Sequence, residues 1–186
     1  SKGFTVNLYL EDWSSGMRDS RDYLFMMMDE LVKLPIKRFL LPDTLGILNP
    51  LQCVEYMRQM VRRYPNSHFD FHAHNDYDLA VSNSLAAVLS GAKGLHVTVN
   101  GLGERCGNAP LASVQVILKD MFEAKTNIKE DRLNDISRLV EGYSGIAVAP
   151  NTPVVGDNVF TQVAGVHADG DNKDKLYCND LVPERF

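Results

Sequence analysis

The first 125 residues alternate between strand-like and helix-like segments, and this alternation restricts the fold more than any other feature of the sequence. Four apolar runs typical of β-strands cover residues 4–10, 38–41, 67–71 and 95–99. Each is followed by a helix-like stretch, with Pro or Gly at most of the junctions, and these helices are predicted at residues 21–33, 50–64, 79–90 and 110–125. Strand–helix units in series predict an α/β fold with a parallel sheet and right-handed crossovers.

The rhythm breaks after Lys125. The pattern predicts one or two helices between Asn127 and Tyr143, and irregular chain from Gly145 to Phe186. We therefore predict two domains, residues 1–126 and residues 127–186.

Polar side chains cluster where the predicted strands end. In a (β/α)8 barrel this edge is the catalytic face, and in an open doubly wound sheet it is the ligand crevice. Four units make half of a barrel, so the chain is either a small open sheet or one half of something larger. The residues at these ends are Glu11, Asp43, Thr44, His72, His74, Asn100 and the segment Glu104–Asn108.

Two of these residues, His72 and His74, lie two positions apart at the end of a strand-like run. Side chains at i and i+2 of a strand point to the same face, so both imidazoles can reach one metal ion. The alternative is a pair of locally hydrogen-bonded histidines. We expect Asn75, Asp76 and Asp78 to fix the imidazole tautomers. His68 and His96 lie outside any motif, and we expect them to be structural.

The segment Asn100–Asn108 is rich in glycine and falls between a strand and a helix. Its glycines are spaced GxGxxxG, one residue off the dinucleotide-binding spacing, so nucleotide binding is weakly supported. Two interpretations stay open: a tight turn, or a loop that approaches a phosphate or a metal closely.

Composition excludes some partners. A net charge of −5 gives no electrostatic basis for binding nucleic acid, and no apolar run is long enough to span a bilayer. Three widely spaced cysteines without a CxxC pair predict reduced thiols and a cytoplasmic location.

Several motifs in order resemble the family of 2-isopropylmalate, homocitrate and citramalate synthases, which is related to the hydroxymethylglutaryl-CoA lyases. The resemblance covers nearly all 186 residues, and the YLEDW and PERF phrases are most similar to the citramalate and 2-isopropylmalate synthase members. The motifs are YLEDWSSG, LPDTLG, HAHNDYDLAVSNSLAAVLSGAKGLHVTVNGLGERCGNAPL, FTQVAGVHADGDNKDKLY and PERF.

The resemblance implies the C-terminal half of a (β/α)8 TIM barrel, about strands 5 to 8, followed by the start of a linker subdomain. Relatives begin with a strand ending in an Arg-Asp-Gly type motif, whose carboxylate completes the metal site. The sequence contains no such motif, so we expect this piece alone to be inactive.

The resemblance also implies the ligands of a divalent metal ion, which would be zinc, manganese or magnesium. His72 and His74 match the metal-binding histidines, and Asn108 matches an asparagine beside or on the metal. Cys106 stands where relatives commonly have alanine, and we expect it to be a small packing residue.

Substrate contacts follow from the same resemblance. Thr44 matches a threonine that contacts the carboxylate of a 2-oxo acid. Glu11 matches an acidic residue beside the methyl group of acetyl-CoA, and Tyr9 lines the same pocket. His167 and Tyr177 match a pair that completes the site from a neighbouring subunit, which implies a homodimer.

The implied activity is condensation of acetyl-CoA with a 2-oxo acid in leucine or isoleucine biosynthesis. Within the same fold, the alternatives are a homocitrate synthase and a metal-dependent lyase or aldolase that cleaves a carbon–carbon bond. A nucleotide-binding or non-catalytic module is the alternative from another class.

Overall fold

A computed structural model describes residues 3–162, 164–174, 177 and 179–186. The chain forms two compact units, Ser1–Pro110 and Leu111–Phe186. The domain boundary predicted after residue 126 lies inside the second unit. As a division into domains it stays a prediction.

The first unit contains a four-stranded sheet in which every neighbouring pair of strands is parallel. The strands lie side by side in chain order, as successive strand–helix units require. The predicted α/β fold with a parallel sheet is confirmed. The strands are β1 (Val6–Tyr9), β2 (Ile36–Asp43), β3 (Phe69–Ala73) and β4 (Gly94–His96).

Helices connect these strands, and one of them was not predicted. The unpredicted helix is α1, which contains the buried side chains of Trp13 and Met17. Pro50 occupies the first turn of its helix as predicted, and Asn49 and Gln52 form a capping box at the N-terminus of that helix. The helices are α1 (Trp13–Asp19), α2 (Arg21–Leu31), α3 (Pro50–Arg63) and α4 (Ala80–Leu89).

The two faces of the sheet differ in polarity because side chains alternate along each strand. One face is apolar and buried: Phe39 packs against Phe69 with 6.0 Å between ring centroids, and Phe71 packs against Trp13 of α1 at 6.3 Å. The opposite face, here called the polar face, carries Tyr9, Arg38, Asp70, His72 and His96.

Two strand ends differ from the predicted ones. β3 runs two residues further than expected, which places His72 inside the strand and His74 directly after it. β4 ends at His96 instead of Val99, because Val99–Gly101 form a 3-10 turn in which Asn100 and Gly101 adopt positive φ angles of 57° and 69°.

The second unit is mostly helical and has its own apolar cluster, built around Ala112, Val116, Leu133, Val154 and Val155. The prediction of irregular chain after Gly145 is wrong for one segment, which forms α7. Glycines and the lack of an apolar period hid this helix from the sequence pattern. The helices are α5 (Leu111–Phe122), α6 (Leu133–Ser144) and α7 (Gly165–Asp174), with single 3-10 turns at Glu130–Arg132 and Pro183–Arg185.

Arg185, in the PERF phrase, ties the end of the chain to other parts of the second unit. Its guanidinium donates two hydrogen bonds of 2.9 Å to Asp120 and lies 3.2 Å from the buried carboxylate of Glu130. Lys119 contacts the same Glu130 oxygen at 2.6 Å. The PERF phrase therefore has a structural role within this unit.

Two cysteines fall in the described ranges, and both are free thiols. Cys53 is buried, which raises the pKa of its thiol to about 12 and keeps it protonated. Cys106 is exposed, so the packing role expected for it is wrong. Cys178 lies outside the described residues. Among the helices that the structure describes, none has the length and apolar character needed to cross a membrane.

Candidate metal and substrate site

Glu11 and Thr44 meet at the carboxyl ends of β1 and β2. The Thr44 hydroxyl donates to Glu11 Oε1 at 2.8 Å and accepts from the main-chain N–H of Asp12 at 3.0 Å. Both side chains were predicted site residues, and the structure brings them into direct contact. The single hydroxyl proton of Thr44 is therefore committed to Glu11.

Asp43 supports this turn, as expected from its position before Thr44. Its buried carboxylate accepts from the main-chain N–H groups of Ile47 and Leu48 at 3.0 and 3.1 Å. Burial raises the pKa of Asp43, which these hydrogen bonds partly oppose. Its contacts are those of a residue that shapes the loop.

His72 and His74 lie together, with 5.0 Å between ring centroids and nearly perpendicular ring planes. His72 Nδ1 lies 3.0 Å from the main-chain oxygen of His96. A carbonyl oxygen only accepts, so Nδ1 carries the proton and Nε2 keeps its lone pair. Burial lowers the pKa of His72, an effect that the hydrogen bond to the His96 carbonyl partly opposes and that the neighbouring histidines reinforce. His72 is thus held in the neutral form that ligates metals.

The group that fixes the tautomer of His72 is not one of the predicted residues. Asn75 bonds the Asp78 carboxylate at 3.2 Å and accepts from the Ala80 N–H, while Asp76 pairs with Arg105. These side chains follow the end of β3 and stabilise the start of α4 and the neighbouring loop. The expectation that they orient the histidines is wrong for His72.

His74 and Asn108 face each other across an isolated antiparallel bridge. Asn108 Nδ2 donates to the carbonyl of Leu102 at 2.9 Å, which identifies Oδ1 as the free end of the amide. In the part of the chain that the structure describes, Asn108 Oδ1 and His74 Nδ1 are buried and have no hydrogen-bond partner. Buried polar atoms left unpaired are costly and point to a missing ligand.

These donors fit a metal ion with open coordination positions. Two imidazoles and one amide oxygen are available, a mixture that borderline and hard divalent ions accept. Over residues 3–162, 164–174, 177 and 179–186, no three His, Cys, Asp or Glu side chains form a group that could hold a metal. Asn108 is therefore the third donor that this chain offers.

The Gly-rich loop from Gly101 to Asn108 is a tight turn whose glycines are required by its own backbone. Gly107 has a φ of 85°, and an added Cβ would lie 2.0 Å from the Gly101 carbonyl oxygen. The N–H groups of Gly101, Leu102, Gly107 and Asn108 all donate to carbonyls of the chain. Those N–H groups are thus not free to cradle a phosphate, whereas Asn108 at the end of the turn lies beside His74 at the candidate metal site.

Arg105 lies at this edge of the sheet, where its segment was predicted to lie, but its contacts there were not predicted. From this loop it donates to both oxygens of Asp76, at 2.7 and 2.9 Å, and to the main-chain oxygen of Thr44 at 2.7 Å. One guanidinium thereby joins the loops that follow β2, β3 and β4. The only signal was its place in the GERCGN phrase. Arg105 also lowers the pKa of Asp76.

We expect Arg105→Lys to loosen this loop, because an ammonium group cannot bind both carboxylate oxygens and the carbonyl in the same geometry. Hydrogen exchange at the Gly107 and Asn108 amides of the intact protein should become about tenfold faster at neutral pH. The pKa of Asp76 is lowered in the folded state, so the ion pair between Arg105 and Asp76 is complete at pH values above the usual pKa of a carboxyl group. It is lost as pH falls through the lowered pKa of Asp76.

The matched control is Arg58→Lys, the same change at an exposed position of α3. It should leave exchange at Gly107 and Asn108 as in the wild type. Equal exchange rates in Arg105→Lys and the wild type at neutral pH would show that the loop does not depend on the contacts of Arg105 with Asp76 and Thr44.

Tyr9 ends β1 on the polar face of the sheet. Its hydroxyl lies 2.8 Å from His96 Nδ1. Burial raises the pKa of Tyr9, as do the negative charges of Glu11 and Asp70, so the phenol stays protonated. Its predicted role in lining a substrate pocket stays a prediction.

His167 and Tyr177 lie in the second unit, where the structure brings them together. Their ring centroids are 4.4 Å apart, and the Tyr177 N–H donates to Asp171 Oδ1 at 2.7 Å. His167 is exposed near the start of α7. The two residues form a pair, as expected, and their catalytic role stays a prediction.

Comparison with known families shows to which proteins this chain is related. The model of the HMGL-like family matches residues 5–140. The chain belongs to the HMGL-like family. Among curated members, it is 41% identical to a homocitrate synthase of Saccharolobus islandicus over 184 residues, which is 99% of this chain and 39% of that protein.

Two other HMGL-like relatives come from Methanopyrus kandleri. One is a candidate (R)-citramalate synthase, 38% identical over 98% of this chain and 36% of its own length. The other is a probable 2-isopropylmalate synthase, 40% identical over 98% of this chain and 36% of its own length. The chain thus spans little more than a third of the length of these relatives.

Solved structures with the same fold include two HMG-CoA lyases. The Bacillus subtilis enzyme is 23% identical with a TM-score of 0.64, covering 72% of this chain and 46% of its own. The Acinetobacter baumannii enzyme, in complex with coenzyme A and 3-methylmalate, is 25% identical with a TM-score of 0.64, covering 78% and 49%. These HMGL-like proteins are TIM barrels, and the four strands seen here are part of such a barrel.

Proposed function

We propose that the protein carrying this chain is a metal-dependent synthase that condenses acetyl-CoA with a 2-oxo acid. The observation that carries this proposal is the juxtaposition of His72, His74 and Asn108 with the Glu11–Thr44 pair at one edge of the sheet. Support comes from relatives 38–41% identical that are named as synthases of this kind.

The metal site would consist of His72, His74 and Asn108, together with donors from outside this chain or from substrate. A divalent ion held there would supply a Lewis acid able to polarise the carbonyl of the 2-oxo acid. The neutral tautomer of His72 and the unpaired oxygen of Asn108 suit this task.

Thr44 and Glu11 have separate roles in the proposed reaction. The Thr44 hydroxyl holds the substrate carboxylate, and to donate there it must give up its 2.8 Å bond to Glu11. Release of that bond leaves the Glu11 carboxylate free to take a proton from the methyl group of acetyl-CoA. The resulting enolate attacks the carbonyl carbon of the 2-oxo acid, which forms the new carbon–carbon bond and turns the carbonyl oxygen into an alkoxide that takes up a proton. Water then cleaves the thioester and releases CoA.

Among the 2-oxo acids, pyruvate and 2-oxoisovalerate agree best with the citramalate and 2-isopropylmalate synthase relatives, and 2-oxoglutarate with the homocitrate synthase. Pyruvate or 2-oxoisovalerate would place the enzyme in isoleucine or leucine biosynthesis, and we propose a cytoplasmic location. We propose one of these two acids as the substrate.

The test is CoA release by the intact protein, measured with a thiol reagent in the presence of a divalent metal, acetyl-CoA and each of the three acids. Reactions without 2-oxo acid correct for the exposed thiol of Cys106. We expect release with one acid, abolished by a chelator. No release with any of the three acids would contradict the proposed synthase activity.

A carbon–carbon lyase is the second candidate, because the solved structures named above are HMG-CoA lyases. A lyase would produce acetyl-CoA from a 3-hydroxyacyl-CoA and would not release CoA from acetyl-CoA and a 2-oxo acid. The same assay, with HMG-CoA added to the panel, separates the two activities.

We further propose that the protein is a homodimer in which His167 and Tyr177 complete the site of the neighbouring subunit. Glu11→Gln and His167→Ala should then each inactivate the enzyme but complement one another. After mixed reassembly, half of the particles are heterodimers with one intact site, so activity should return to about a quarter of the wild-type level. Mixtures that stay as inactive as the single variants would contradict a shared site.

A further inference from the structure

The polar face of the sheet contains a hydrogen-bonded network centred on Asp70. Its side chain is 1% exposed, although it is a carboxylate. His68 Nε2 lies 2.8 Å from one oxygen, and His96 Nε2 and Arg38 Nη1 each lie 3.3 Å from the other. The partners come from β2, from the residue before β3 and from β4, so Asp70 joins these strands.

Gly94 provides the space for this carboxylate. It is the register partner of Asp70 on β4, and a Cβ built at Gly94 would lie 2.3 Å from Asp70 Oδ1. Any side chain at this position would displace the carboxylate. The neighbouring strand is therefore shaped to accommodate Asp70.

His96 links Asp70 to the candidate metal site. Its ring is held at both nitrogens, by Asp70 at Nε2 and by the Tyr9 hydroxyl at Nδ1. Its main-chain oxygen accepts from His72 Nδ1 at 3.0 Å. His96 is the last residue of the three-residue strand β4, which pairs with β3 only through positions 94–96. The contacts of the ring thus add to the main-chain hydrogen bonds of Lys93 and Thr98 on either side of this short strand.

We propose that Asp70 is a positioning residue for the metal site, acting through His96. By anchoring the His96 ring, Asp70 keeps the His96 carbonyl against His72 Nδ1 and so holds His72 in the tautomer whose Nε2 can ligate a metal. The metal role of His72 rests on the proposed function, whereas the orientation of its ring does not. Two hydrogen bonds separate the Asp70 carboxylate from His72, one at the His96 ring and one at the His96 main-chain oxygen. Asp70 is then part of the site.

The network does more than stabilise the sheet, because its two histidines, His68 and His96, are not equivalent. His68 and His96 both contact the Asp70 carboxylate, but only His96 also contacts His72. Removal of either ring deprives Asp70 of one partner. Only removal of the His96 ring should release His72.

The experiment uses the intact protein labelled with ¹⁵N at the histidine rings, first without metal. In the wild type, His72 should show a protonated Nδ1 and an unprotonated Nε2. Asp70→Asn and His96→Ala should move both nitrogen shifts toward intermediate values, as the two tautomers exchange. In a titration with Mn²⁺ alone, these variants should bind about tenfold more weakly than the wild type.

His68→Ala is the matched control and should keep both the tautomer and the Mn²⁺ affinity of the wild type. Thermal unfolding midpoints show whether each variant folds. If Asp70→Asn does not fold, His96→Ala still tests the proposal, because Asp70 keeps its contacts with Arg38 and His68 in that variant. Unchanged His72 shifts in His96→Ala, or an equal change in His68→Ala, would overturn the proposal. If the shifts respond as expected but the wild type binds no Mn²⁺, the proposed metal function fails while the positioning of His72 stands.

Discussion

Replacement of His74 by alanine in the intact protein is expected to reduce kcat/KM for the condensation by about a thousandfold or more. In the proposed metal site the imidazole is one of three donors, with His72 and Asn108, and its buried Nδ1 has no hydrogen-bond partner among the described residues. Loss of a donor removes the Lewis acid on which the polarised carbonyl depends. Steady-state CoA release at saturating Mn²⁺, with metal affinity measured in parallel, provides the test.

His68→Ala is the appropriate comparison, because His68 lies just before the same strand and contacts only Asp70 among the hydrogen bonds resolved for it. It should retain activity within about threefold of the wild type. Activity above a tenth of the wild-type value in His74→Ala, with metal bound normally, would exclude His74 as a ligand.

Glu11→Gln is expected to lower kcat by about 10²- to 10⁴-fold while KM for the 2-oxo acid changes little. Glutamine keeps the shape of the side chain and an oxygen that accepts from the Thr44 hydroxyl, so the 2.8 Å bond between the two residues can persist. What is lost is the carboxylate that we propose takes the methyl proton. Exchange of acetyl-CoA methyl protons with deuterated water should fall in parallel.

The control for this change is Glu104→Gln, which alters an exposed glutamate in the Gly-rich loop. It should leave kcat unchanged. A Glu11→Gln enzyme with wild-type kcat and wild-type proton exchange would assign the base to another residue, and the His167–Tyr177 pair would then be tested first.

The sequence predicts the sheet well, because β-strands in a parallel sheet are short apolar runs between Pro- and Gly-rich junctions. The run Phe69–Phe71 illustrates this, since both rings are buried against the helical layer. The placement of His72 and His74 at a strand end follows from the same pattern, as does their close approach.

Contacts between strands distant in sequence could not be predicted. Asp70 bonds Arg38 and His96, which are 32 and 26 residues away, and nothing in a single sequence reports such register. Arg105 reaches Thr44 across 61 residues for the same reason. Local patterning therefore indicates which residues stand at the edge of the sheet. The hydrogen bonds that orient them depend on strand pairing.

The most direct test of the metal site is anomalous diffraction from crystals of the intact protein soaked in MnCl₂ or ZnCl₂. We expect one strong peak within coordination distance of an imidazole nitrogen of His72, an imidazole nitrogen of His74 and the amide oxygen of Asn108. The same peak should be absent from crystals of the His74→Ala variant. A protein that releases CoA in a metal-dependent manner but shows its anomalous peak elsewhere, with none at these three side chains, would contradict the assignment.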